Sequence, residues 1–187
     1  GLPAAVKLEL KPLTREDSRA LVEQILQKAS LIPATLREMI VDGADGNPFY
    51  VEELIKMLID EKVILPGETE WRVLTEGISA LRVPPTLTGV LQARLDSLPS
   101  AERLALQRAA VIGRTFWDTA VQALSGESAS LAELQTLLET AQRRELLYRH
   151  PTAAFAGTHE YLFKHALLRD VTYETVLKRD RADYHAR

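Results

Sequence analysis

At 187 residues the chain has room for one large domain or two small ones, and 46% apolar with 26% charged residues suits a packed core rather than disorder. A net charge of −3 lacks the basic excess of a dedicated nucleic-acid binder, so nucleic acid is an unlikely partner. The absence of cysteine excludes a disulfide framework, a thiolate metal site and a cysteine nucleophile. No apolar run reaches the ~18 residues of a membrane span, and no signal peptide is visible at Gly1, which reads as the boundary of an excised segment. The expectation is a cytoplasmic protein with no membrane partner.

Val6, Leu8 and Leu10 alternate with Lys7 and Glu9, the pattern of a short strand. Thr14 and Asp17 form a capping-box-like pair before a helix that places Leu21, Val22, Ile25 and Leu26 on one face. Pro33 suits the first turn of a second helix running to about Asp42, and Pro48 starts a third with Phe49, Val51, Leu54, Ile55, Leu58 and Ile59. Between residues 64 and 85 Pro66, Gly67, Gly77, Pro84 and Pro85 break the pattern, with Trp71 as the large anchor, and predict a linker or small hairpin between two domains.

Helices resume at Thr86, which caps a segment from Leu87 to Leu98. Ser100 opens another through Ile112, a further one covers roughly 116–124, and Ser130 caps the next through Arg144. Leu146-Leu147-Tyr148 and Tyr161-Leu162-Phe163, separated by a loop with Pro151 and Gly157, predict a two-stranded wing. A final helix begins near His165, and Arg181 to Arg187 read as a helix cut in its course. Helices followed by such a hairpin suggest a winged-helix domain, in which helix 131–144 takes the position of a DNA reader. Its Glu133, Glu139, Arg143 and Arg144, with Glu145 beyond, roughly cancel, so a packing role is expected.

The densest local signal is Asp45-Gly46-Asn47-Pro48-Phe49-Tyr50-Val51-Glu52-Glu53-Leu54. It sets a flexible glycine, a capping asparagine and a proline directly before an apolar helix, the composition of a helix start whose free N–H groups face something. This stretch resembles the G-x-P element in the lid of STAND-type signalling ATPases, a branch of the AAA+ superfamily. Two more blocks carry the resemblance. One runs from Val83-Pro84-Pro85-Thr86-Leu87 through Arg94-Leu95-Asp96-Ser97-Leu98 to Ala109-Ala110-Val111-Ile112-Gly113-Arg114-Thr115-Phe116, and the other is Phe163-Lys164-His165-Ala166-Leu167-Leu168-Arg169-Asp170-Val171-Thr172-Tyr173-Glu174.

The resemblance implies a mainly α fold with two parts. Residues 1–80 would be a helical AAA+ lid subdomain with an N-terminal strand left from the ATPase core. Residues 81–187 would be a winged-helix domain with a small β-hairpin and the start of a following helical region. It further implies that Gly46 and Asn47 shape the turn, that Pro48 contacts an adenine nucleotide, and that His165 corresponds to the histidine of the MHD motif, which reaches the β-phosphate of ADP. Lys164 and Ala166 stand where that motif carries methionine and aspartate. ATP or ADP with Mg belongs to the parent protein, and no cofactor is expected in the isolated segment. The implied partners are an upstream nucleotide-binding core and a downstream helical repeat region of the same chain. Related regions occur beside class III adenylate or guanylate cyclase, LuxR-type DNA-binding and kinase domains.

The segment itself is not expected to be an enzyme, because no glycine-rich phosphate loop is present. Met57-Leu58-Ile59-Asp60-Glu61 imitates a Walker B strand, but its apolar residues follow helical spacing. Glu52 and Glu53 point about 100° apart on a helix and are expected to be solvated or ion-paired. Arg94 with Asp96 reads as a surface pair or interdomain contact, Arg37 as the one arginine of the lid helices, and His150 and His159 as exposed wing residues. The alternative readings are a winged-helix DNA-binding regulator and a helical protein-interaction scaffold.

Overall fold

The structure, a computed structural model, describes residues 9–80, 82–126 and 130–186. Nine α-helices, one short 3-10 helix and two small antiparallel sheets make up the described residues. The chain divides into two units, Gly1–Val90 and Leu91–Arg187.

In the first unit, α1 (Arg15–Ile25), α2 (Ala34–Ala44) and α3 (Pro48–Asp60) pack against one another. Val6 and Leu8 of the expected strand lie outside the described residues, while Glu9 and Leu10 carry no regular structure and Leu10 is exposed. Thr14 caps α1 by accepting from the Asp17 N–H at 3.1 Å, and its hydroxyl donates to the Asp17 carboxylate at 2.7 Å. Val51, Leu54, Ile55 and Leu58 form a stripe at helical spacing on α3 and are buried against Val22, Leu36 and Ile40 of the same core. The Walker-like residues therefore belong to a helix. Residues 64–73 form a hairpin of β1 (Ile64–Leu65) and β2 (Arg72–Val73), anchored where the Trp71 N–H donates to the Lys28 carbonyl at 2.8 Å. Of its two expected roles, solvated or ion-paired, Glu53 takes the ion-paired one: it is 1% exposed and its carboxylate lies 3.1 Å from Lys56 Nζ.

α1 and α2 are also clamped by charge. Glu38 accepts from Arg19 at 2.7 and 2.9 Å and from Arg15 at 3.0 Å, Arg15 pairs with Asp42, and Arg37 donates to Glu23 at 2.7 Å. Arg37 thus serves the α1–α2 clamp, and it is not the one arginine of these helices as expected, since Arg15 and Arg19 stand on α1. The Arg19 hydrogen bonds, against a smaller opposing desolvation, hold the Glu38 carboxyl at about 2 instead of 4.5. A depressed carboxylate contributes stability that is present above its unfolded value and lost as pH falls through its folded value. Acid titration of the first unit is therefore expected to show a stability loss between pH 4.5 and about 2. That loss should be absent in Glu38→Gln and weakened by salt, because the clamp is solvent-exposed. Circular dichroism at stepped pH checks both outcomes.

In the second unit, α4 (Leu87–Asp96), whose start belongs to the first unit, leads into α5 (Ser100–Ile112), and Gly113 caps α5 with its N–H on Ala109. α5 is the central helix, contacting α6 (Asp118–Ser125), α7 (Leu131–Arg143), α8 (Ala166–Glu174) and α9 (Lys178–Ala186). Its small residues Ala105, Ala109 and Ala110 allow this close approach. The expected helix at 116–124 starts only at Asp118, because Thr115–Trp117 is a strand, β3. With β4 (Leu147–Arg149) and β5 (Glu160–Phe163) it makes a three-stranded sheet of order β3-β5-β4, so the expected two-stranded wing has a third member. The alternation in β5 turns Tyr161 and Phe163 inward onto Phe116, at ring distances of 5.7 and 5.5 Å. The expected single final helix is broken after Glu174. There Gln107 donates to the Thr175 hydroxyl at 2.9 Å, and Arg181 donates to the Val176 carbonyl at 2.8 Å.

Arg94 corrects another expectation. It is 2% exposed and its guanidinium donates to the Arg144 carbonyl at 2.8 Å, tying α4 to the end of α7. Asp96 instead accepts from Gln92. The Tyr161 hydroxyl, by contrast, is buried without a hydrogen-bond partner among the described residues, and burial raises its pKa. Removing an unsatisfied hydroxyl while keeping the ring removes a desolvation cost, so Tyr161→Phe is expected to be neutral or up to about 1 kcal/mol more stable in urea denaturation.

Candidate functional site

The sequence-derived candidates fall into two groups, Gly46, Asn47 and Pro48 in the first unit and His165 in the second. The first group forms a tight corner between α2 and α3. α2 ends on Asp45 in a left-handed conformation (φ 46°, ψ 46°), and Gly46 follows at φ 75°. The Asn47 N–H closes the corner on the Ala44 carbonyl at 2.9 Å.

Asn47 then caps α3. Its side-chain oxygen accepts from the Phe49 N–H at 3.0 Å and from the Tyr50 N–H at 3.3 Å, and its carbonyl accepts from Val51. Pro48 has no N–H to offer. The first turn of α3 therefore has its donors engaged and presents no cradle for phosphate, while the exposed Pro48 ring is available for apolar contact. Asn47→Ala is expected to cost the first unit about 1 kcal/mol, the usual worth of such a cap, measured by denaturant unfolding. Tyr50, buried behind the corner, donates its hydroxyl to the Pro84 carbonyl at 2.6 Å.

The glycine has a reason internal to the fold. The Gly46 carbonyl accepts from the Leu13 N–H at 2.8 Å, and a Cβ on Gly46 would stand 2.5 Å from the Leu13 oxygen. The segment before α1 is thus laid directly on the corner. Beside that contact lies a cleft of about 240 Å³ lined by Pro12, Leu13, Arg15, Ser18, Val41, Asp42, Asp45 and Gly46. No sequence motif marked Pro12 or Leu13 as neighbours of Gly46; the pairing is made by tertiary contact alone.

His165 occupies the N-cap position of α8 in extended conformation (φ −132°, ψ 143°) and is half-buried. Its side chain does not cap the helix. The Arg169 N–H reaches its carbonyl at 3.3 Å. Of its neighbours, Lys164 pairs with Glu145 at 2.6 Å, and its ammonium sits 5.7 Å from the Tyr148 ring.

The second unit also holds a polar network that was not legible in the sequence. Asp118, 1% exposed at the start of α6, accepts from the backbone N–H of Thr119 and of His159 at 2.8 and 3.0 Å on one oxygen. Its other oxygen accepts from Gln135 of α7 at 2.8 Å and lies 3.0 Å from His159 Nδ1. The same Nδ1 lies 3.1 Å from Gln135 Nε2, so the three side chains meet in one network. His159, expected to be exposed, has a side chain 39% exposed and is also a partner of the network. Burial acts to raise the Asp118 pKa, but hydrogen bonds from Gln135, His159 and Thr119 and the charge of His159 outweigh it and lower it.

Among the described residues no group of three or more histidines or acids could hold a metal ion, and no helix is long and apolar enough to cross a membrane. No known family model matches the chain, and no curated protein matches it either.

Proposed function

We propose that the chain is the non-catalytic lid and winged-helix portion of an ATP/ADP-switched signalling ATPase of the STAND type. The observation that carries the reading is the Gly46-Asn47-Pro48 corner. It exposes a proline ring at a helix start whose first-turn donors are already satisfied, next to a cleft of about 240 Å³. Such a corner suits an apolar face against a purine ring, and it leaves phosphate and Mg to residues of an upstream core. When bound there, the nucleotide would supply the energy difference between the two states of the switch.

Within this chain, the order α5-β3-α6-α7-β4-β5 with sheet order β3-β5-β4 supports a winged-helix assignment for the second unit. The three helices of the first unit support the lid assignment. The role of Pro48 is to favour the closed state through contact, and that of His165, at the positive end of α8, is to favour ADP. A switch needs only such differential contacts, so the segment requires no catalytic residue of its own. The output of the parent protein would be a neighbouring domain such as a nucleotide cyclase.

Calorimetry with ADP and ATP tests the proposal on this chain and on a chain extended upstream by about 200 residues, the size of a nucleotide-binding domain. The expected result is binding only by the extended chain, weakened about tenfold by Pro48→Ala or His165→Ala. If the extended chain bound neither nucleotide, or if both variants bound ADP as the parent does, the reading would be wrong.

A further inference from the structure

The segment that leads into α4 is weakly held by its own backbone. Pro84 and Pro85 have no N–H, and among the described residues no backbone–backbone hydrogen bond involves Val83, Pro84 or Pro85. Its polar fixing point is the Tyr50 hydroxyl, which donates to the Pro84 carbonyl at 2.6 Å. Tyr50 is 6% exposed, so that hydroxyl is carried on a ring held in place by packing.

Two glycines let the same segment lie close. A Cβ on Gly43 of α2 would stand 3.7 Å from Val83 Cγ1, and one on Gly89 of α4 would stand 2.9 Å from Pro84 Cβ. The first turn of α4 follows at once. The Gly89 N–H donates to the Thr86 hydroxyl at 3.1 Å, and the Val90 N–H donates to the Thr86 carbonyl at 3.0 Å. All of these residues belong to the first unit.

Tyr50 is also part of the corner. It follows Pro48 and Phe49 in the first turn of α3, and its N–H donates to the Asn47 side chain at 3.3 Å. One residue therefore meets the cap with its backbone and the segment before α4 with the far end of its ring. A tyrosine side chain has only two torsions, so a displacement of the first turn of α3 carries the hydroxyl with it.

We infer that Tyr50 is a positioning residue that couples the Gly46-Asn47-Pro48 corner to the start of α4. Pressure on Pro48 shifts the first turn of α3, and the Tyr50 hydroxyl conveys the shift to Pro84 and so to Thr86. The purpose of this relay rests on the reading of the corner as a point of nucleotide contact, but the tie itself needs no nucleotide.

The test is amide hydrogen exchange and ¹H–¹⁵N spectra of the whole chain. Tyr50→Phe keeps the ring and removes the donor. Exchange at Gly89 and Val90 is expected to quicken about fivefold to tenfold, the factor equivalent to one neutral hydrogen bond, with Val22 and Leu58 of the helical core unchanged. Pro48→Ala is expected to move the Gly89 and Val90 signals in the parent chain, and to move them by about half as much or less in the Tyr50→Phe background, the non-additivity of coupled positions. Unchanged exchange at Gly89 and Val90 would overturn the inference. So would Pro48→Ala moving those signals equally in both backgrounds or in neither. An equal quickening at Val22 and Leu58 would count against it too, as a loss of the whole core. Neither arm uses nucleotide, so a failed relay leaves the calorimetric test of the corner where it stands.

Discussion

Replacing Asp118 with alanine is expected to cost the second unit roughly 3–5 kcal/mol, the penalty for breaking a buried, fully hydrogen-bonded charge site. The carboxylate is 1% exposed and takes hydrogen bonds from two backbone N–H groups and from Gln135, with His159 Nδ1 3.0 Å away. Its loss leaves the His159 and Thr119 N–H groups without that acceptor, while the backbone bond from the residue 118 N–H to the His159 carbonyl, 3.1 Å, remains. Trp117, whose indole N–H donates to Glu160 at 3.1 Å on the neighbouring strand, reports the transition by fluorescence. The network also has a pH signature. Because the folded Asp118 pKa lies below its usual 3.8, the stabilisation is present above that value and fades as pH falls through the depressed one. Asp118→Asn should remove this acid-limb dependence. An alanine variant with wild-type stability would show that the network contributes nothing net.

Gly46→Ala is expected to destabilise the first unit by about 2–4 kcal/mol, the sum of a left-handed backbone for a residue with a Cβ and a steric collision. The two contributions can be separated. Gly157 has almost the same backbone angle, φ 76° against 75°, but nothing within 4 Å of where its Cβ would be. Gly157→Ala should therefore cost only about 1 kcal/mol, the conformational part. The excess at Gly46 measures the approach of the Leu13 carbonyl at 2.5 Å. Trp71 reports the first unit and Trp117 the second, so the two losses can be read independently in denaturant unfolding. Equal costs at the two positions would mean that the segment before α1 yields freely to a methyl group.

The cleft at Gly46 was only half legible. The motif Gly46-Asn47-Pro48 announces a capped helix start, because glycine, asparagine and proline each carry a local conformational preference that needs no distant partner. Pro12 and Leu13, more than thirty positions earlier, carry no such preference, and only the packing of α1 on α3 brings them to the corner. The same distinction explains β3. Thr115-Phe116-Trp117 is too short to show a period, and it is a strand because Tyr161 and Leu162 offer it an edge. Arg94 reads as a surface pair or interdomain contact, yet it is buried with the Arg144 carbonyl accepting from it, and Glu53, read as solvated or ion-paired, is buried beside Lys56. His159, read as exposed, has a side chain 39% exposed, and what the sequence did not show is its contact with Asp118.

The sequence by itself determined most of the helices and four of their caps, though not the break after Glu174 or the strand before α6. Thr14, Asn47, Thr86 and Ser130 mark starts that the structure places within a residue of expectation, since capping and the 3.6-residue period act within one or two turns. Only the tertiary structure decided the third strand, the Asp118–Gln135–His159 network and the laying of Leu13 on Gly46. Each of these joins residues far apart along the chain. The favourable energy of such contacts comes from burial and from hydrogen bonds in a water-poor interior, and these exist only once the helices have packed.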